Sequence, residues 1–506
     1  MLPLISILVS SNGVNSSFNF LNANSNSSNF GLLDSSISSD VKMSLSYEAQ
    51  DYIGLSGDNW AKDLIGDNIT VAVLDTGIYP NHSVFTNDGM LTWNQRIKAY
   101  YDHNIENISE NPYDIQWHGT WAASILGGNS TEYKGVAPGI NYVILNIFYE
   151  EDNDYVTTLP IFEKAVNWII KNKDNFSIRI ASMSFGVEPE LSNLGYIDAI
   201  NNLVEKLVDE NILVVAAAGN NGDDPRNDGL GTINSPASAK SALAVGGVNY
   251  EGEMYLQSAK GPTYEGIIKP DVLAPAIGVY GAYSSEAPSD FVYASGTSAS
   301  TPFVAGLAAL MLERNPALSA MQLKNIISLT SYKKTNFDAI KDNLQGWGIV
   351  QGYAALQALE YPIDITQETE LKISLNENVS VYCQQIKLDS NYQFFEIEKF
   401  NSSDADMFLF SSQPDEYGNP ILVSHTMNDF SGLDSKKRMG IFTNKPQYYY
   451  LVIKLNQEGR GDFLIKLVFE YRNGILFTLG VINFLGIIYI GKLTLKFKHT
   501  RKRYSL

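Results

Sequence analysis

The chain has 506 residues, enough for one large domain with attachments or roughly two to four smaller ones, and its composition of 44% apolar and 18% charged residues excludes a wholly disordered polymer. With 55 acidic against 36 basic residues the formal charge is −19, which argues against nucleic acid as the main partner, because phosphate binding needs a basic surface. Cys383 is the one cysteine, so an internal disulfide and a cysteine-based metal cluster are both excluded.

Taken from the amino end, Leu2 to Val9 is an apolar stretch with no basic residue before it, which reads as a weak or truncated signal over residues 1–10. Residues 11–45 are rich in Asn and Ser, low in charge and without periodicity, the texture of a flexible linker. Sequons recur from Asn15 to Asn401 and agree with an exported chain, although Asn-rich sequence generates them by chance.

Residues 46–360 alternate short β-branched runs with amphipathic stretches. Ile69 to Leu74, Tyr142 to Ile147, Ile178 to Met183, Ile212 to Ala216 and Leu243 to Val248 read as buried strands. Between them, His118 to Leu126, Leu159 to Lys171 and Leu194 to Val208 carry helical patterns. Near-continuous apolar strands separated by helices predict an α/β domain, a doubly wound and mostly parallel sheet covered on both faces. In such sheets a site lies at the carboxyl ends of the strands.

Three polar residues stand where that rule looks for chemistry. Asp75 follows the first strand in VAVLDTG, His118 opens a helix in WHGTWAASILGG, and Ser298 opens another in ASGTSASTPFVAGLAALML. Nucleophilic acyl transfer needs these types: a hydroxyl attacks a carbonyl, imidazole takes its proton, and a carboxylate holds the imidazole tautomer. The free N–H groups and dipole of a helix start favour the negative charge that develops beside Ser298. The choice of histidine is narrow, because the others are His82, His103, His425 in a later β-rich region and His499 in the basic tail. Singly each feature has a plainer explanation, such as an Asp capping a helix.

Jointly, DTG at Asp75, HGT at His118 and GTS-x-S-x-P at Ser298, in that order, resemble the subtilisin-like serine proteases, for which Asp-His-Ser is the known triad order. Further similar stretches are YKGVAPGINYVILNIF from Tyr133, IASMSFG from Ile180, VVAAAGNNG from Val214, INSPASAKSALAVGGV from Ile233 and GPTYEGIIKPDVLAPAIGV from Gly261. The resemblance implies Ser298 as nucleophile, His118 as general base and then acid, Asp75 as its orienting carboxylate, and Asn220 as side-chain donor to the oxyanion. It further implies that Ser184, Phe185 and Gly186 pair with an extended substrate, that Ala217, Ala218 and Gly219 wall the primary pocket, and that Asn234 falls near its floor, unless Asn234 is an ordinary turn residue. Small walls suggest an open pocket for apolar or mid-sized side chains.

The sequence departs from the family pattern around the histidine, where Trp117 and Trp121 replace small residues or His and suggest a narrowed leaving-group side. Ala299 stands where Met commonly follows the nucleophile, removing a sulfoxide-forming side chain. Family members usually carry an inhibitory, folding-assisting prodomain; what precedes the catalytic part here reads mostly as linker, so either folding proceeds without one or the natural start lies upstream. No cofactor is required for such chemistry and no zinc motif is present. Structural calcium is common in the family, and Asp223, Asp224, Asn227 and Asp228 are either oxygen ligands for it or a solvated loop.

After the nucleophile, Ser298 to Arg314 and Ala320 to Ser328 read as helices, the second opened by a capping box of Ser319 and Gln322. Residues 361–472 change to alternating, aromatic-rich runs such as VSVYCQQI, YQFFEI and YYYLVIKL, which predict an antiparallel β-sandwich similar to a pre-peptidase C-terminal type domain. Cys383 and Tyr448 to Tyr450 read there as core and edge packing. Ile475 to Gly491 has no charge, spans roughly 26 Å as a helix, and is followed by six basic residues from Lys492 to Arg503 with no acid. A buried core helix is one reading; the basic tail points to a stop-transfer helix with residues 492–506 cytoplasmic and the catalytic domain extracellular. The expectation is a membrane-anchored serine endopeptidase acting on polypeptides, broad or dedicated to a few surface proteins; the alternative is a catalytically silent surface protein that uses the same scaffold for binding.

Overall fold

The structure, a computed structural model, describes residues 18–19, 53–55 and 63–470, apart from 87–95, 131–132, 153, 226–228, 285–289, 335–339, 366–368, 377–378, 389–391, 400–403, 427–435, 444 and 456–460. The signal-like residues 1–10, most of the Asn/Ser-rich stretch, and the apolar run 475–491 with its basic tail therefore lie outside the described residues. Among the described residues no helix is long and apolar enough to cross a membrane. The chain divides into two compact units, the first running to Leu359 and including Asn378–Val381 and Gln413–Ile421, the second holding the rest.

In the first unit the strands are β1 (Phe18–Asn19), β2 (Thr70–Asp75), β3 (Ile97–Asp102), β4 (Asn107–Ile108), β5 (Asn141–Asn146), β6 (Tyr149–Glu151), β7 (Asp154–Thr157), β8 (Ile178–Met183), β9 (Leu213–Ala217), β10 (Leu243–Val248), β11 (Val272–Pro275), β12 (Val279–Ala282) and β13 (Phe291–Ala294). The helices are α1 (His118–Gly127), α2 (Leu159–Phe176), α3 (Leu194–Asp209), α4 (Thr297–Arg314), α5 (Ala320–Leu329) and α6 (Gly352–Gln357). Eight strands form one sheet in the order β11-β10-β9-β8-β2-β5-β3-β4, parallel except for the β3–β4 pair. The five strands expected from apolar runs are all in it. Every residue of β2, β9 and β10 is buried, as a parallel sheet covered on both faces requires.

The helices follow from their own sequences. Thr158 caps α2 through Ile161 N–H and Pro160 sits in its first turn, while Phe162, Ala165, Val166 and Ile169 make the buried stripe. Ser319 and Gln322 form the reciprocal capping box that opens α5. The first sixteen residues of α4, Thr297 to Leu312, are buried on every face, which explains its run of Ala, Gly, Ser and Leu. Within the stretch read as linker, Phe18 and Asn19 pair antiparallel with Thr157 and Val156 of β7. β2 has β5 on one side and β8 on the other, so the chain order reverses there, and it is outside the carboxyl ends of strands at such a reversal that parallel sheets offer a crevice.

At the amino ends of β10 and β11 lies a buried ionic cluster. Asp271 receives Lys269 Nζ at 2.7 Å and Lys341 Nζ at 2.5 Å, with Lys324 Nζ at 3.9 Å and the Ala244 N–H at 2.8 Å. Lys269 also donates to Ala242 O and Lys324 to Lys240 O. Burial disfavours the charge of Asp271, but the three ammonium groups more than offset it and hold its carboxyl far below the usual range. Gly418, at φ +81, packs its backbone against Met321 and Lys324 from the 413–421 segment.

The second unit contains β14 (Ile363–Ile365), β15 (Thr369–Leu375), β16 (Val381–Leu388), β17 (Tyr392–Lys399), β18 (Ala405–Ser411), β19 (Leu422–Thr426), β20 (Lys436–Phe442), β21 (Gln447–Leu455) and β22 (Gly461–Glu470). They make a five-stranded sheet, β14-β16-β21-β18-β19, and a four-stranded one, β15-β22-β17-β20. The described pairings are antiparallel as expected, except that β14 runs parallel to β16. Cys383 is fully buried in β16 as core packing, and burial pushes its thiol up.

Replacing Asp271 by Asn leaves Lys269 and Lys324, both fully buried, without their counter-ion. Urea unfolding of D271N is expected to show a loss of about 3–5 kcal/mol, with the secondary structure of the folded state unchanged.

Candidate active site

Asp75 is the last residue of β2 and is fully buried. The chain leaves the sheet through Gly77 at φ +121, where a Cβ would stand 2.0 Å from Tyr113 O; a Cβ on Gly119 would stand 2.2 Å from Gly77 O. Two glycines thus let the loop after β2 press backbone to backbone against the start of α1. This approach brings His118 Nδ1 to 2.8 Å from Asp75 Oδ1, which also accepts the Thr76 N–H at 2.8 Å. With a carboxylate at Nδ1, the proton is assigned to that nitrogen and the lone pair to Nε2. Burial pulls the imidazole pKa down, but the charge and hydrogen bond of Asp75, with a smaller push from Asp114, raise it overall.

Ser298 is the second residue of α4 and is 6% exposed. Four residues on, Pro302 has no N–H to give the Ser298 carbonyl. Ser184 fills that vacancy: its Oγ donates to Ser298 O at 3.0 Å, and Ser298 Oγ donates back to Ser184 O at 2.8 Å. The end of β8 is thereby joined to the start of α4 on both sides of one serine pair. Asn220 lies beside them. Its Oδ1 accepts from Thr297 N at 2.9 Å and Thr297 Oγ1 at 3.1 Å, which turns the Nδ2 donor the other way.

The remaining candidates converge on the same crevice. Phe185 turns its ring inward against Phe148 and Phe162, so only the backbone of Ser184, Phe185 and Gly186 is offered outward. Ala217 ends β9, Ala218 N–H donates to Val245 O, and Asn234 N–H donates to Ala218 O. The Asn234 side chain lies between the two glycine walls: a Cβ on Gly186 would be 2.6 Å from Asn234 Cβ, and one on Gly219 2.7 Å from Asn234 Cγ. Its Oδ1 is buried with no partner among the described residues. A neighbouring depression of about 540 Å³ is lined in part by Glu188, Glu190, Asp224, Leu230 and Thr232.

One expectation needs revision. Trp121 does not narrow the leaving-group side, because it is 1% exposed and its Nε1 donates to Val279 O at 3.2 Å, behind α1. Trp117 alone stays half-buried beside the histidine, its ring 6.1 Å from His118 and 6.0 Å from Tyr283. The acidic loop assembles no cation site among the described residues: Asp223 is exposed, no group of three or more His, Cys, Asp or Glu side chains converges, and Asn227 and Asp228 lie outside the described set. The sequence alone did not single out Thr76, Asp114, Thr120 and Thr297: Thr76 Oγ1 accepts from Gly119 N, Asp114 Oδ2 from Thr120 N, Thr120 Oγ1 from Tyr79 N, and Thr297 Oγ1 from Gly219 N.

Residues 66–348 match the Subtilase family over more than half of the chain. The chain belongs to that family. It is 31% identical over 315 residues to serine protease AprX of Bacillus subtilis, covering 57% of this chain and 66% of that protein. To subtilisin DY of Bacillus licheniformis it is 30% identical over 268 residues, covering 53% and 84%. Subtilisin-like protease PopC of Myxococcus xanthus is 26% identical over 54% of this chain and 57% of its own length. The chain thus spans slightly less than two thirds of AprX and less of PopC. A solved cold-adapted subtilisin-like serine proteinase matches 57% of this chain and 90% of its own with a TM-score of 0.45 and 24% identity.

The Ser184 hydroxyl donates to the Ser298 carbonyl, whose usual helical donor Pro302 does not supply. Ser184→Ala is expected to cost about 1–3 kcal/mol in chemical unfolding, the penalty for a buried carbonyl left unpaired.

Proposed function

We propose that the chain is a serine endopeptidase that cleaves polypeptides through an acyl-enzyme on Ser298. The observation that supports this best is the bonded Asp75–His118 pair, together with Ser298 in the first turn of α4. His118 Nε2 takes the Ser298 proton as Oγ attacks the scissile carbonyl, and Asp75 keeps the ring in the tautomer that can do so and stabilises the imidazolium. The Asn220 Nδ2 and the Ser298 N–H, at the positive end of α4, donate to the oxyanion. His118 then gives its proton to the leaving amine, and water repeats the sequence on the acyl-enzyme. For this to begin, the Ser298 hydroxyl rotates away from Ser184 O, which becomes available to a substrate strand.

Backbone pairing along Ser184 to Gly186 gives affinity without sequence choice, so selectivity falls to the primary pocket. Ala217, Ala218 and Gly219 alone would leave it open to mid-sized side chains. With the Asn234 amide between Gly186 and Gly219, the pocket fits small side chains at the residue whose carbonyl is attacked. The charge-free run Ile475–Gly491 and its basic tail support anchoring in a membrane with the catalytic unit outside the cell. A β-rich second unit then serves as spacer or substrate-holding module of pre-peptidase C-terminal type, and calcium is a candidate stabiliser only if residues outside the described set complete its ligands.

The full chain and its Ser298→Ala variant, incubated with an unfolded protein and read by mass spectrometry, test the activity. Cleavage by the parent and a loss of at least about 10³-fold in the variant are expected. Equal inertness of two folded proteins would favour the silent binding scaffold. In the same assay Asn234→Gly is expected to move cleavage toward larger side chains by roughly 10- to 200-fold in relative kcat/KM; an unchanged cleavage map would remove Asn234 from the pocket.

A further inference from the structure

One half-buried carboxylate near the proposed triad has no part in that scheme. Asp114 lies four residues before His118, and its backbone forms an antiparallel bridge with Gly77 on the loop after β2. Its Oδ1 accepts from Thr76 Oγ1 at 2.7 Å and Gln116 N at 3.1 Å; its Oδ2 accepts from Thr120 N at 2.8 Å and Thr120 Oγ1 at 2.5 Å. Thr76 Oγ1 in turn accepts the Gly119 N–H at 2.9 Å, and Thr120 Oγ1 accepts the Tyr79 N–H at 2.8 Å. The residue after Asp75 and the residue two beyond His118 are therefore bound to opposite oxygens of one carboxylate. Among the described residues no Lys or Arg bonds to it.

We propose that Asp114 is a positioning residue of this protease, holding Thr76 and Thr120 together so that the Asp75–His118 contact stays in register, and stabilising by its charge the imidazolium formed on His118. The proposal rests on the triad reading given above. Its chemistry follows from the acceptor count. A carboxylate offers lone pairs on both oxygens, whereas an amide in the same place turns an NH₂ toward either the Thr76 side or the Thr120 side and breaks that half of the bridge. The titratable groups that feel the charge of Asp114 are His118 on α1 and Tyr155 of β7. Of these, His118 is raised in part by Asp114, and the Tyr155 phenol is raised by burial first, then by Glu150 and Asp114. Burial pushes the Asp114 carboxyl itself up, against its hydrogen bonds, so its charge is lost at a higher pH than that of a surface aspartate.

The test compares the full chain with Asp114→Asn by histidine-selective NMR titration, His118 being assigned through its loss in His118→Ala, and by steady-state kinetics across pH. Removal of a negative charge near the imidazole is expected to lower the His118 midpoint by roughly one pH unit. The acid limb of kcat/KM moves down with it. Loss of alignment is expected to lower kcat about 10- to 100-fold while KM stays within about threefold. A folded D114N with an unmoved His118 titration and unmoved kcat overturns the proposal. Should D114N fail to fold, Thr76→Val, which keeps the charge but cuts the bridge, is expected to lower kcat with the acid limb in place and Thr76→Ser to restore it; equal rates for both overturn the proposal. The NMR arm decides it even for an inert parent chain, an inertness that would count against the protease reading instead.

Discussion

The site depends on one steric constraint, the contact of two backbones that carry no side chain at the point of approach. Gly119 at the start of α1 lies so close to Gly77 that any Cβ there would overlap its carbonyl oxygen. That approach sets the distance between the end of β2 and the start of α1, and Asp75 and His118 inherit it as a 2.8 Å hydrogen bond. A similar economy operates at α4, where Pro302 withholds one helical hydrogen bond and Ser184 supplies it from the neighbouring strand end. Strand ends and helix starts are thus joined by single groups that have few substitutes.

Charge buried at the two ends of the sheet plays opposite parts. At the amino ends, Asp271 is enclosed by three ammonium groups, a saturated arrangement with nothing left to react. At the carboxyl ends, Asp75 and Asp114 face a single histidine, and the negative potential favours a proton on it. The same low-dielectric interior surrounds both, but the first cluster's carboxylate is compensated by neighbouring cations while the second's favour a proton on the imidazole between them.

Strand positions were legible to within one or two residues wherever burial was uniform, and helix starts as closely, although α2 runs five residues past its expected end at Lys171. β8, β10, α2 and α3 begin at the residues expected from periodicity, because a parallel sheet between two helical layers demands unbroken apolar runs. β3 escaped notice, since Lys98 is exposed and interrupts the IKAYYD run, and the short β12–β13 hairpin has no such run to read. Asp75, His118, Ser298 and Asn220 were findable from residue type, local pattern and family resemblance. Asp114 was not, because an aspartate before a helix usually caps it, and only the fold reveals that both its oxygens bind elements that are far apart in the chain.

By itself the sequence determined the α/β layering and the family, and picked out four candidates for acyl transfer, since these depend on local periodicity and on chemistry-bearing residue types. Tertiary structure alone decided which way the large side chains turn. Trp121 goes behind α1, Phe185 goes into the core, and Asn234 enters the slot between Gly186 and Gly219. The reason is packing: a side chain fills whatever space distant segments leave to it, and that space is a property of the closed fold rather than of any stretch of chain.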